Sequence, residues 1–409
     1  MSQANHRQPT AWVVGTFDTK ADELNYLAGL LRAACVRVVT VDIGTRSAAG
    51  VADIDSAAVA AHHPRGAAAV FEPSDRGEAV IAMSVALSAL VRKRLESGEI
   101  QGMLGVGGSG GSSMIAPAMR LLPIGYPKLL VSTMAAGDVS AYVGVVDMTL
   151  MYPVTDIAGL NRLSRTILAN AAHALVGMLL HHAPVDNAQD KPAIGLTMFG
   201  VTTPCVQAVR DLLQDDFDAQ VFHANGAGGR TLETLAAAGL LNAVVDLTTT
   251  EVGQHLAGGV CDAGPNRLDA AARYGLPWIG SVGALDMINW GAPPTIPDRH
   301  RNRLFHVHNA NVTLMRSNAE ELEAAAHRIA EQLNRASGPV RLLLPMGGLS
   351  MLDAPGQPFY DPTADAVLFD TLERLFVVSD THRLTRLPHH INAPAFAAVV
   401  ADEVRAVVM

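Results

Sequence analysis

Between Gly105 and Ser113 the chain carries five glycines and three serines in nine residues. The run follows the apolar stretch Met103-Leu104, and a helical pattern opens at Met114. Glycines let successive backbone N–H groups converge without Cβ clashes, and a helix start adds partial positive charge. The chemistry that fits is phosphate binding, with Gly107, Gly108, Ser109, Gly110, Gly111 and Ser112 as the cradle. A tight turn between strand and helix is the plainer alternative.

Neighbouring loops carry matching groups. Gly15, Thr16, Asp18, Thr19 and Lys20 follow one apolar stretch, and Thr133 ends another. A cation at Lys20 opposes the dipole of the helix it opens, so a phosphate partner suits it better than solvent. Asp42 ends a second stretch, where an acid can accept both ribose hydroxyls; capping a turn is its alternative role. Asp18 or Asp147 is placed to face a magnesium ion carried by phosphates. Together these residues describe a nucleotide site of unusual type. Gly105 to Gly110 matches G-x-G-x-x-G in form, but the next strand ends at Ser132-Thr133 with no acid for an NAD ribose. No G-x-x-x-x-G-K-[ST] stretch is present either.

The second half collects different groups: His223, Glu251, Asp286, His306, His308 and His389. His306 and His308 share one face of a strand, a spacing used by some metal sites and equally by hydrogen-bonded histidines. Glu251 follows three threonines where charge is scarce. With His223 and His306 it makes an acid–base set, provided the fold converges them. Gly226, Gly228, Gly229 and Arg230 form a second candidate anion loop, in which Arg230 can make a bidentate contact.

The elements that must position these groups alternate. Strands are expected at 11–16, 36–43, 128–133 and 143–146, with helices at 21–34, 77–97, 114–122 and 155–182. The polar, proline-flanked stretch Pro184 to Pro192 is a linker. After it come strands at 193–198, 219–223, 243–247, 278–281, 304–308 and 340–344, and one near 385. Helices are expected at 205–213, 231–238, 320–334 and 363–375, with a short one at the end. The pattern predicts an α/β protein of two Rossmann-like, doubly wound subdomains with mainly parallel sheets, 1–185 and 192–409.

At 409 residues about two domains are expected, with 49% apolar and 17% charged residues filling large cores. The net charge of -9 and the absence of a basic run exclude nucleic acid as a partner class. No apolar run approaches the ~18 residues that span a bilayer. Cys35, Cys205 and Cys261 lie far apart, so a reduced cytoplasmic protein is expected.

Eight stretches carry a resemblance that covers nearly the whole chain from Trp12. They are Gly15 to Lys20, Gly107 to Gly111, Gly195 to Cys205, Val221 to Gly226, Thr248 to Glu251, Ser281 to Met287, Leu352 to Gly356 and His390 to Asn392. The chain closely resembles the family that contains the N-terminal ATP-binding half of the tomato mosaic virus resistance protein. That resemblance implies two Rossmann-like subdomains, ATP with Mg2+ as ligand, and homodimers. It also implies a separate barrel-domain protein as a partner. It assigns nucleotide contact to Thr16, Asp18, Thr19, Lys20 and the Gly107–Gly111 loop. The expected function is an ATP/Mg-dependent enzyme acting on an unidentified small molecule held by the second half or the cleft. The alternative is a non-catalytic ATP-binding module; an NAD-dependent oxidoreductase is disfavoured by the missing acid.

Overall fold

The computed structural model describes residues 8–46, 52–181 and 191–409. The chain divides into two compact units, Met1–Val185 and Asp186–Met409. In the first unit β1 (Thr10–Gly15), β2 (Arg37–Asp42), β3 (Gly102–Gly107), β4 (Lys128–Ser132) and β5 (Thr149–Met151) form one parallel sheet in the order β2-β1-β3-β4-β5. β1, β3 and β4 are buried along their whole length. That is why they are continuous apolar runs rather than alternating ones. Leu24, Leu27 and Leu31 of the Phe17–Ala33 helix cover one face, with Leu168 and Leu175 of the Arg162–Leu180 helix. Met83, Leu87 and Leu90 of the Arg76–Glu96 helix and Ile115 and Met119 of the Ser109–Met119 helix cover the other.

The strand order reverses between β1 and β3. Connections leave these two neighbours in opposite directions, so the loops beyond their carboxyl ends splay apart and leave a crevice.

Three expectations in this unit are corrected. The helix after β3 begins at Ser109, not Met114. Packing of Met114, Ile115 and Met119 holds it, and that outweighs the poor helix propensity of Gly110 and Gly111. No strand forms at 143–146: Ser140–Val143 is a helical turn ended by Gly144 at φ 59, and β5 follows. The last helix starts at Arg162 because Asn161 caps it, accepting from Leu163 and Ser164 N–H at 2.9 Å each. Ile157 and Leu160 therefore belong to the segment before it. By length and composition the Arg162–Leu180 helix is apolar enough to cross a membrane. Its Leu168, Ala171, Ala172 and Leu175 are buried in the core of this unit. Most of the expected linker, 184–190, lies outside the described residues.

The second unit contains β6 (Ala193–Met198), β7 (Asp218–His223), β8 (Ala243–Thr248), β9 (Trp278–Gly283), β10 (Met287–Trp290), β11 (Phe305–Asn309), β12 (Val312–Arg316), β13 (Val340–Pro345) and β14 (His382–Leu387). Six are parallel in the order β14-β13-β9-β8-β6-β7, so the order again reverses between first and third strands, β6 and β8. The strand expected at 304–308 is β11 of a separate antiparallel sheet, β10-β12-β11, inserted between β9 and β13. β10 and β12 were not expected. They are four and five residues long, too short for a clear alternation.

Candidate functional site

A cavity of about 600 Å³ lies beyond the carboxyl ends of β1 and β3 in the first unit. Thr16, Asp18, Thr19 and Lys20 line it from the β1 side, and Gly108, Ser109, Gly110 and Gly111 from the β3 side. Thr45 and Arg46 reach it from the loop after β2, and Phe71, Pro73, Ser74 and Arg76 close it.

The β3 loop is built for close approach. A Cβ on Gly107 would lie 2.7 Å from Ser112 N and 2.8 Å from Gly111 Cα, so only glycine lets the helix start this near the strand end. Gly110 differs: nothing lies within 4 Å of its Cβ position, and its φ is not positive. A helical glycine costs about 1 kcal/mol against alanine, so Gly110 keeps space open rather than serving the fold. Gly108 is the N-cap and supplies no side-chain bond to the first turn. The N–H groups of Ser109, Gly110 and Gly111 have no acceptor among the described residues. Uncapped amides and the helix dipole thus both face the cavity.

Three cations line it, Lys20, Arg46 and Arg76, against one carboxylate, Asp18. Among the described residues neither arginine has an acidic partner. Lys20 Nζ donates to Ile157 O at 2.6 Å, and its backbone (φ -134°, ψ 25°) interrupts the Phe17–Ala33 helix. Thr16 and Thr19 hydroxyls lie 2.9 Å apart.

Other expected residues stand behind the cavity or away from it. Gly15 packs against Leu24. Ser112 is buried, bonding Ser132 Oγ at 2.6 Å and tying the helix to β4. Thr133 stands next to Gly108, outside the lining. Asp42 clamps a turn: its Oδ1 accepts from Phe17 N–H at 2.9 Å and Gly44 N–H at 2.8 Å, and it does not line the cavity. Burial raises its pKa despite those two amides. Asp147 is corrected as a magnesium ligand. It pairs with buried Lys128 at 2.5 Å and accepts from Gly125 N–H at 2.8 Å. Lys128 begins β4, so this pair marks the strand-start edge of the sheet, opposite the crevice. The sequence reading missed Arg46 and Arg76. A cation just past a strand end, as at Arg46, was the available signal.

In the second unit Glu251 is buried and spoken for. Its Oε1 accepts from Gly226 N–H at 2.6 Å and Gly229 N–H at 3.0 Å, and its Oε2 from Arg267 Nε at 2.7 Å. The second anion loop therefore has an anion already, the side chain of Glu251. Gly229 has no Cβ because one would lie 2.0 Å from Glu251 Oε2. Gly228 sits against His223 O, and Arg230 Nη1 donates to Asp262 O at 3.0 Å. His223 stacks on Phe199 with centroids 5.3 Å apart, while His306 meets Phe359 edge-on at 6.3 Å. No hydrogen bond or ring contact joins these histidines to each other or to Glu251 among the described residues. The expected acid–base set is not assembled. No group of three His, Cys, Asp or Glu suited to a metal ion occurs among the described residues.

Residues 9–184 match the uncharacterised protein family UPF0261 N-terminal domain, and residues 191–408 its C-terminal domain. The chain belongs to the UPF0261 family. A UPF0261 protein of Mesorhizobium japonicum is 51% identical over 390 residues, covering 95% of this chain and 97% of the relative. One from Clostridium tetani is 40% identical, covering 96% and 97%. The tomato (Solanum lycopersicum) ToMV resistance protein Tm-1(GCR237) is 39% identical over 98% of this chain, which spans 56% of the tomato protein. A solved UDP-N-acetylglucosamine 2-epimerase aligns at 10% identity over 67% of this chain and 79% of its own, with a TM-score of 0.22. That score is too low to bear on function.

The C-terminal UPF0261 domain also buries three acids around one cation. Arg316 Nη2 lies 2.7 Å from Asp365 Oδ1 and 3.8 Å from Asp353 Oδ1. Asp286 accepts from Ser350 Oγ at 2.7 Å. Burial, then the neighbouring Asp353 charge, pushes Asp286 up to about 7 and Asp365 up to about 8, with Arg316 pulling both down. The folded state holds these protons where the unfolded chain has released them. Stability is then fully present below a pH of about 4 and lost as pH rises through 7 to 8, by up to about 1.4 kcal/mol per group per pH unit. The melting temperature is expected to fall between pH 5.5 and 8.5, and Asp286→Asn to flatten the slope. Thermal unfolding across this range checks it; a rising melting temperature would refute it.

Proposed function

We propose that the first unit binds ATP. The phosphates lie on the free amides of Ser109, Gly110 and Gly111, within reach of Lys20, Arg46 and Arg76. The base lies against the apolar wall that includes Phe71, Pro73, Val80 and Met114. The observation carrying this reading is one cavity in which an uncapped helix start, three cations and a glycine the fold does not require coincide at the reversal of strand order. Its volume of about 600 Å³ is that of a small-molecule site. A three-to-one excess of cations suits a ligand with several negative charges. Asp18, the carboxylate in the lining, is the group that would face a Mg2+ brought by the phosphates.

The family resemblance read from the sequence implies the same ligand, and with it a homodimer and a separate barrel-domain partner; the scattered cysteines suit a cytoplasmic setting. Of the two ATP-based readings, the binding module gains from the burial of Glu251, which leaves the enzyme reading without its expected base. ATP turnover by the protein, alone and with the barrel partner, separates them. Isothermal titration with ATP and Mg2+ tests the ligand itself. Arg76→Ala is expected to weaken binding at least about tenfold, the loss of one charge-assisted bond. Asp147→Asn should leave affinity unchanged, and NAD should not compete. Absence of ATP binding would end this reading.

A further inference from the structure

We infer that residues 152–161 are a strained strap latched by Lys20, and that a phosphate-bearing ligand in the cavity opens the latch. The inference rests on the ATP-binding reading of that cavity.

The strap stores strain at two adjacent residues. Thr155 N–H donates to Pro153 O at 2.7 Å, and Val154 between them has φ 66. This is a γ-turn of the positive-φ kind, the rare and strained form. Positive φ is a genuine outlier for a β-branched residue. Val154 is 57% exposed, so burial of its side chain does not compensate. Next to it, the Thr155 hydroxyl is buried with no hydrogen-bond partner among the described residues. A segment with both features persists only where its surroundings hold it.

Three ties hold it. Lys20 Nζ bonds Ile157 O at 2.6 Å, Glu23 Oε1 accepts from Gly159 N–H at 2.6 Å, and the Ile157 side chain is buried. Two of these ties come from Lys20 and Glu23, one helical turn apart, and Lys20 is the residue at which that helix bends. Lys20 is also the tie that lines the cavity. Its ammonium is shared between a neutral carbonyl and whatever anion enters. The bond to Ile157 O has one ionised partner and a bond to a phosphate oxygen has two, and the added ion-pair attraction draws Lys20 away from Ile157. The γ-turn then relaxes. Because the strap ends in Asn161, the cap of the Arg162–Leu180 helix, that helix start loosens with it.

Hydrogen exchange on the full-length protein tests this, with and without ATP and Mg2+. The expected result is protection of amides 108–113 together with at least a threefold faster exchange of amides 152–161. Lys20→Met without nucleotide should show the same faster strap. Val154→Gly, which adopts positive φ without strain, should raise the melting temperature. Protection at 108–113 with unchanged or slower strap exchange would overturn the latch and leave ATP binding standing. No protection at 108–113 and no binding heat would overturn both. Should Lys20→Met fail to fold, the wild-type comparison still decides.

Discussion

Replacing Arg267 with leucine is expected to unfold the second unit near physiological temperature. The guanidinium is 2% exposed and serves three acids. It donates to both oxygens of Asp246 at 2.7 Å, to Glu251 at 2.7 Å, and lies 3.5 Å from Glu233. Asp246 and Glu251 have no solvent access. Removing the one cation leaves their charges without a counter-ion. Breaking even a single buried pair costs about 3–5 kcal/mol. At roughly 2–4 °C per kcal/mol for a unit of this size, the melting temperature should fall by about 10 °C or more. The damage spreads by a specific route. Glu251 holds the Gly226 and Gly229 amides, so the loop after β7 loses its anchor. Lysine at 267 keeps a charge but not the planar fork that reaches three acids, and it should fall between leucine and wild type. Differential scanning fluorimetry on the full chain reads the order. A leucine variant melting within about 2 °C of wild type would show that these carboxylates do not depend on Arg267.

The same cluster explains where sequence reasoning stopped. The doubly wound architecture was legible because buried parallel strands write themselves as continuous apolar runs, and each crossover helix carries its own stripe. In the first unit, proximity followed from topology. Residues just past β1 and β3 had to meet, so Thr16, Asp18, Thr19, Lys20 and Gly108 to Gly111 converge on one cavity. Arg46 was legible only through its place just past β2, and Arg76 not at all, since single charges in loops of mixed composition carry no period. In the second unit the polar loop residues were visible but their satisfaction was not. A carboxylate after a strand has the same spelling whether it faces solvent or caps a neighbouring loop. Glu251 and Asp42 both turned out to accept backbone amides. The Gly226 donor to Glu251 and the Phe17 donor to Asp42 each lie 25 positions away, beyond any local pattern. The Gly44 donor to Asp42 is the local one that a turn-capping aspartate implies.

A single charge should separate the phosphate cradle from the fold that presents it. Gly110→Asp is expected to abolish ATP binding while leaving stability equal or higher. The Cβ position of Gly110 is open, so the side chain enters without collision. In the first turn of the Ser109–Met119 helix an acid interacts favourably with the dipole, by about 0.3–1 kcal/mol. Replacing a helical glycine adds a few tenths more. The carboxylate then satisfies the same free amides that the phosphates would use, as Glu251 does at Gly226 and Gly229. It also repels them: two unit charges about 5 Å apart at an effective dielectric near 20 cost about 3 kcal/mol, roughly a hundredfold in affinity. Alanine at 110 isolates the charge, and should keep binding within a few fold. Titration calorimetry and thermal melts on the three proteins supply both readouts. If the aspartate variant binds ATP like wild type, the phosphates do not sit at this helix start. If it melts far below wild type, the first turn carries structural duties that the open space around Gly110 argues against.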